Sequence, residues 1–387
     1  MDVLQVIPYF AERRGGDVNA CMNVSRQLVR RGHHVTILTT DFELDKRRVD
    51  AVEASGINLV SFHSIANVQL LVVSPGVRKW LDKNIIGFDI AHLHTFRAYQ
   101  NYLIHRYAKK YKIPYILQAH GSVLPFYQKR LQKKVYDLLW GRALLDDAAR
   151  VIALTEHEAE QYKVMHVREE KIDIVPNGID LSQYVHLPNT GTFKSRHSIE
   201  NDAHVVLFLG RLHKIKGADL LIKAFARLAE KKDKLKLVIA GPDAGALAHL
   251  KKLTNSLEIR DLVLFTGPLY NQDKLEAYVD ADVYVLPSVY EIFGITVLEA
   301  CACGTPVIVT TECGIADLVQ KFGCVVERDA GDLCNSIYKL LSNEKTRKKF
   351  AQKGKQFATE ELPWAKIVER LEAIYTDVQA TSREAGV

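Results

Sequence analysis

Short runs of β-branched and aliphatic residues alternate with longer amphipathic stretches along almost the whole chain. In the first half the apolar runs fall at 2–8, 34–39, 57–62, 89–93, 113–118, 149–154 and 171–175, each of strand length. Between them, stretches such as 17–31, 97–111 and 125–145 space apolar residues as a helix does. This alternation predicts βαβ units and a mostly parallel sheet. A polar stretch, 181–202, with Pro188 and Gly191, breaks the pattern and reads as a linker. A second series follows, with strands at 204–209, 235–240, 262–266, 282–286 and 306–310 and helices at 217–230, 271–279, 295–303 and 330–342. The expectation is an α/β chain of two Rossmann-like, doubly wound parallel-sheet domains facing across a cleft, with ligands at the carboxyl ends of the strands.

At 387 residues, 48% of them hydrophobic and 25% charged, the chain can fill two globular cores and is neither disordered nor fibrous. No apolar run reaches the roughly 18 residues that a membrane-spanning helix needs. The start, MDVLQVIPYF, lacks the basic flank of a signal peptide and reads as a first strand. Six cysteines without a CxxC pair are expected to be reduced and buried, in a cytoplasmic protein. Cys301 and Cys303 are not expected to share a metal, because alternate residues on a helix face different ways.

The net charge of +6 is unevenly spread: residues 1–185 hold 25 basic and 20 acidic side chains, and the rest 27 and 26. An anionic partner surface is therefore sought in the first half. There, Lys129, Arg130, Lys133 and Lys134 cluster among Phe126, Tyr127, Tyr136 and Trp140. Such a face suits peripheral contact with an anionic membrane or an anionic acceptor; the plainer alternative is a solvated helix face. A nucleic-acid partner is not expected.

The segment 286–308, LPSVYEIFGITVLEACACGTPVI, carries the strongest chemical signal. A strand ends, a loop follows, and a helix begins near Gly294. Unpaired N–H groups at Gly294, Ile295 and Thr296 suit a phosphate, and Gly294 lets it come close. Glu291 would project beyond the helix end, where a sugar would sit. Glu299, more than one turn further in, could accept hydrogen bonds from a ribose diol. Two carboxylates alone would repel a diphosphate, and the segment LFLGRLHKIKG supplies Arg211 and Lys216 to neutralise it. Two cations there can take the place of Mg²⁺, so no metal and no cofactor are expected. Asp280 and Asp282 have a metal-binding spacing but flank a strand start, away from the site.

The pattern GR…KG followed by E-x7-E inside PSxxExFGxxxLEAxxxGTPV resembles the family-4 retaining glycosyltransferases of GT-B fold (glycosyl transferases group 1 type). Gly15-Gly16 after the first strand, His120-Gly121 after YILQ and the run VPNGID at 175–180 agree with it. The resemblance implies a hexosyltransferase that retains anomeric configuration and takes a UDP-, GDP- or ADP-sugar. Its acceptor would be a glycan, a lipid or a small molecule, as in polysaccharide or glycolipid biosynthesis. Arg211 and Lys216 would stabilise the departing diphosphate, Glu291 and His120 would face the donor sugar, and Glu299 would hold the ribose. Gly15, Gly16 and the turn Phe293, Gly294, Ile295 and Thr296 would contact the donor, and Gly241 and Leu269 would offer backbone to the base. Family members are thought to react on one face of the sugar, with the leaving phosphate as base. The chain departs from the pattern at Ile292, where Gly is frequent, and at Asp317, where Glu is.

The expected division is 1–185 for acceptor binding and 200–360 for the nucleotide sugar, with a last helix near 363–380 packing back on the first domain. The rival readings are a nucleotide-sugar epimerase or a phosphorylase-like enzyme of the same fold, and a non-catalytic nucleotide-sugar-binding protein. His92 and His94 are expected to face opposite ways on their strand, with His94 in a structural role, and Asn177 to be a turn residue.

Overall fold

The computed structural model describes residues 1–11, 15–44, 46–68, 71–125 and 129–385. They form two compact units, Met1–Gly178 with Trp364–Val387, and Ile179–Pro363.

In the first unit the strands of the main sheet are β1 Asp2–Val6, β2 His34–Thr40, β3 Asn58–Phe62, β4 Ile90–His94, β5 Tyr115–Gln118, β6 Arg150–Ala153 and β7 Ile172–Ile174. They make one parallel sheet in the order β3-β2-β1-β4-β5-β6-β7. Helices cover parallel sheets on both faces, so the central strands are mostly apolar, with Val3, Leu4, Val6, Ile90, Ala91 and Leu93 fully buried and Gln5, His92 and His94 as buried polar exceptions. The last helix, Trp364–Ala385, belongs to this unit. It buries Val368, Leu371 and Tyr375, and its Glu372 pairs with Arg31 and His33.

In the second unit, β8 His204–Leu209, β9 Leu235–Ala240, β10 Val263–Gly267, β11 Val283–Leu286, β12 Val307–Thr310 and β13 Cys324–Val326 form a parallel sheet ordered β10-β9-β8-β11-β12-β13. This is the Rossmann order, which reverses direction between β8 and β11.

One sequence reading needs correction. The stretch 181–202 is not a free linker but part of the second unit. It contains the short helix Thr192–Arg196, buries Phe193 and Ile199, and is held by Asp280, whose carboxylate accepts from the N–H groups of Gly191 and Lys194. Its polar composition marks a surface segment, and two apolar anchors suffice to dock it. The helix expected over 125–145 runs from Arg130 to Asp146, with a π turn at Asp137–Gly141. The turn sits where Arg97 forks onto the Asp137 carboxylate.

Candidate active site

The reversal between β8 and β11 opens a crevice at their carboxyl ends. Two loops line it, 210–217 after β8 and 287–294 after β11. They are bound together, because the Val289 N–H donates to the Ile215 carbonyl at 2.8 Å. Gly217 permits this approach. Its φ is +71°, and a Cβ there would lie 1.9 Å from the Pro287 carbonyl oxygen, so no residue with a side chain fits.

Lys216 ends the 3₁₀ turn Lys214–Lys216, and its Nζ pairs with the Glu291 carboxylate. The side chains are only 15% and 18% exposed, so water and salt screen this pair less than a surface pair. The Glu291 backbone is pinned too, by the Gly314 N–H on its carbonyl at 2.6 Å. Arg211 is exposed, and no acidic side chain among the described residues holds its guanidinium.

The helix Ile295–Ala302 starts at Gly294, with φ +68° and no side-chain cap. A Cβ on Gly294 would meet Leu286 Cδ2 at 2.9 Å. First-turn N–H groups lack partners within a helix, and the helix dipole favours an anion beside them. Ile295 and Thr296 are partly exposed. Phe293 is buried, so it can offer only its backbone, and the buried Ile292 packs inward. The Tyr284 hydroxyl lies 2.7 Å from Thr296 Oγ1 and 3.1 Å from the Leu209 carbonyl, which ties the helix start to the end of β8.

Glu299 is held from a neighbouring helix, Asn271–Asp280. Lys274 Nζ lies 2.7 Å from one carboxylate oxygen, and the Tyr278 hydroxyl donates to the other at 3.0 Å. A carboxylate has about four acceptor sites, so two remain for a diol. Sequence reasoning missed Lys274 and Tyr278. Their i,i+4 spacing shows that they share a helix face, but not that this face meets Glu299. Asp280 and Asp282 are spent elsewhere: Asp280 holds the N–H groups of 191 and 194, and Asp282 accepts from the Val205 N–H at 2.9 Å and pairs with Arg347 at 3.4 Å.

In the first unit the strand order reverses between β1 and β4. Gly15 and Gly16 open the helix Gly16–Arg30 beyond β1, again without a side-chain cap. His120 follows β5 with φ +49°. The next residue is fixed by a buried carboxylate: Gly121 N–H donates to Glu158 Oε1 at 2.5 Å, and Leu154 N–H to Oε2 at 2.8 Å. Burial pushes the Glu158 pKa up to about 7.

His92 and His94 do not face opposite ways. Their rings stack with centroids 4.3 Å apart. Side chains alternate along a strand with period two, so residues i and i+2 share a face. His94 Nδ1 lies 2.9 Å from His120 Nε2, and His92 Nδ1 lies 2.7 Å from the Tyr375 hydroxyl. Removal from water pushes His92 and His120 down to about 3 and holds His94 well below its usual range. Asn177 is buried.

On the basic stretch, Tyr136 is buried with its hydroxyl on the Ala98 carbonyl, and Trp140 packs on Tyr102 and Tyr136. Phe126 and Tyr127 lie outside the described residues. The exposed apolar surface comes instead from Leu131, Val135, Leu138 and Leu139, beside exposed Lys129, Arg130 and Lys134.

Two family descriptions match the chain: glycosyl transferases group 1 over residues 189–357 and glycosyltransferase family 4 over residues 14–183. The chain is 25% identical over 380 residues to an uncharacterised glycosyltransferase of Methanocaldococcus jannaschii, covering 93% of this chain and 94% of that one. It is 29% identical over 384 residues to a D-inositol 3-phosphate glycosyltransferase of Geodermatophilus obscurus, covering 92% and 83%. HepE of Anabaena in complex with UDP has a TM-score of 0.81 over 97% of this chain and 100% of that one, at 18% identity. Sucrose-phosphate synthase of Thermosynechococcus elongatus has a TM-score of 0.75 over 98% and 100%, at 19% identity. With both halves matched and a doubly wound parallel sheet in each unit, the chain belongs to the group 1 glycosyltransferases of GT-B fold.

Proposed function

We propose that the enzyme is a retaining hexosyltransferase that uses a nucleotide-diphosphate sugar and needs no metal ion. The observation that carries this reading is the grouping of Arg211, Lys216, Glu291 and the uncapped Gly294 helix start at one switch point. Arg211 and Lys216 supply two positive charges beside N–H groups that suit a diphosphate. As the glycosidic bond breaks, negative charge gathers on the leaving diphosphate, and preplaced cations stabilise it most at that moment. Glu291 lies next to that point and would orient the departing sugar. HepE, a structural neighbour, is known in complex with UDP and with UDP-glucose, which makes a uridine nucleotide the first donor to try. A thermal-shift series with UDP-, GDP- and ADP-sugars tests the reading, since a ligand that binds only the native state raises its melting temperature. One of the three is expected to stabilise the protein, and release of the nucleoside diphosphate is expected to continue in EDTA. Activity abolished by EDTA and restored by Mg²⁺ or Mn²⁺ would refute metal independence.

Glu299 is the ribose ligand in this reading. A carboxylate-to-hydroxyl hydrogen bond contributes about 1.5–3 kcal/mol, so Glu299→Ala should weaken binding of the free nucleoside diphosphate roughly 10–100-fold. Unchanged affinity in a folded variant removes Glu299 from the site.

The acceptor side of the reading is a cytoplasmic enzyme that meets a lipid-linked or anionic acceptor at a membrane surface. Its support is the exposed leucine and valine face at 131–139 beside Lys129, Arg130 and Lys134. Each basic residue near an anionic bilayer contributes about 1 kcal/mol, screened by salt. The wild type should co-sediment with phosphatidylglycerol vesicles at low salt, and changing Lys129, Arg130, Lys133 and Lys134 to Gln should abolish this. A wild type that ignores such vesicles leaves an ordinary solvated face.

A further inference from the structure

We propose that Gln5 and Tyr375 are positioning residues that set the tautomer of His120, leaving its Nδ1 as a bare acceptor for a sugar hydroxyl. This rests on the reading of His120 as the residue that faces the donor sugar. The argument counts protons along a chain of contacts within the first unit. Tyr375, on the last helix, has its hydroxyl 2.7 Å from His92 Nδ1. A hydroxyl has one proton, and once it is donated to that nitrogen the oxygen can only accept. Gln5 Nε2 donates to it at 3.4 Å, which turns the amide oxygen of Gln5 towards His94 Nε2 at 2.7 Å. An amide oxygen only accepts, so His94 Nε2 must carry hydrogen. A neutral imidazole carries only one, so His94 Nδ1 is bare and must accept. Its partner, His120 Nε2, lies 2.9 Å away and is therefore the donor. His120 then has no hydrogen on Nδ1.

That nitrogen is out of solvent and has no hydrogen-bond partner among the described residues. A buried acceptor left unpaired is costly and calls for an explanation, and a ligand hydroxyl supplies one. The strained backbone of His120, with Gly121 fastened to Glu158, keeps the ring where Nδ1 stays unpaired. Reversing the Gln5 amide would reverse every donor in the chain. His120 would then carry hydrogen on Nδ1 and could no longer accept there. The orientation of the Gln5 amide selects between the two directions, and in the structure its nitrogen is held by the tyrosine hydroxyl of the C-terminal helix while its oxygen faces His94.

The test is a long-range ¹⁵N–¹H correlation spectrum of the full-length protein labelled with ¹⁵N-histidine, with the His120 signals identified by their loss in His120→Gln. In the wild type at pH 7.5, His120 is expected as a single Nε2–H tautomer. Gln5→Leu and Tyr375→Phe should each make it a mixture. Turnover should fall roughly 10–100-fold, taking as the guide the loss seen when the partner that orients a metal-bound imidazole is removed. Affinity for the free nucleoside diphosphate should be unchanged. A wild-type His120 protonated at Nδ1 overturns the proposal, and this spectrum decides even if a variant fails to fold. So does an Nε2–H tautomer that persists in both variants. Tautomers that shift as expected while turnover is untouched would uphold the relay and remove His120 from the donor site.

Discussion

Arg211→Ala and Lys216→Ala are each expected to lower turnover at saturating donor by about 10²–10³, with a smaller effect on donor affinity. The magnitude is that of losing one preplaced donor at a developing anion. It falls on turnover because the diphosphate is more negative in the transition state than in the bound donor. The two variants differ in a way that checks the argument. Arg211 is held by no carboxylate among the described residues, so its loss removes one contact and little else. Lys216 pairs with the half-buried Glu291, so Lys216→Ala also strands a carboxylate in a poorly hydrated place. Its apparent effect should be larger and should shrink when Glu291→Gln is added, as groups in contact are not additive. Initial rates of nucleoside-diphosphate release, measured with the donor that thermal shift selects, decide the matter. Wild-type turnover in both single variants at saturating donor refutes the assignment.

The first unit is expected to lose about 2 kcal/mol of stability between pH 6.5 and 5. His92 and His94 are fully buried and neutral, with pKa values held far below the usual 6.5. On acidification the unfolded chain takes up protons that the native state refuses. The stability of these groups is therefore fully present above about pH 6.5 and is lost progressively as pH falls. His92 contributes about 2 kcal/mol over that window at 1.36 kcal/mol per unit, and His94 acts in the same direction. His120, pushed down by burial in the same way, adds to the loss. Glu158 acts in the opposite direction. Its folded pKa is raised to about 7, so its burial penalty is present above that pH and is relieved on acidification, returning about 2 kcal/mol. All three tryptophans, Trp80, Trp140 and Trp364, belong to the first unit, so their fluorescence reports its melting alone. For about 200 residues, 2 kcal/mol corresponds to a fall in Tm of roughly 4–8 °C. Glu158→Gln should steepen the acid loss by removing the opposing contribution. A Tm that is flat or rises from pH 6.5 to 5 contradicts the account.

Local pattern sufficed for the two sheets because parallel strands buried on both faces must be continuous apolar runs. The central strands of both sheets stood out for that reason, and the edge strands β3 and β7, which are only partly buried, stood out as short apolar runs between helical stretches. The strand β13, three residues long, and the helix Glu344–Glu360, rich in lysine and with few buried residues, did not. A strand of that length has no periodicity to read, and a mostly solvated helix has almost no apolar stripe. The motif residues of the second unit were legible because one strand–loop–helix segment carries Glu291, Gly294 and Glu299 at fixed local spacing. What they touch was not. Lys216 meets Glu291 across 75 positions, and Lys274 and Tyr278 reach Glu299 from another helix. The stacked histidines are a mixed case. Period two already places His92 and His94 on one face, but only the packing of the last helix joins them to Gln5, Tyr375 and His120. Sequence by itself determined which residue types stand at each strand end, since secondary structure and burial follow from local periodicity. Tertiary structure decided which of those side chains meet and which nitrogen or oxygen each presents, since hydrogen-bond partners depend on strand order and helix docking, which local periodicity does not encode.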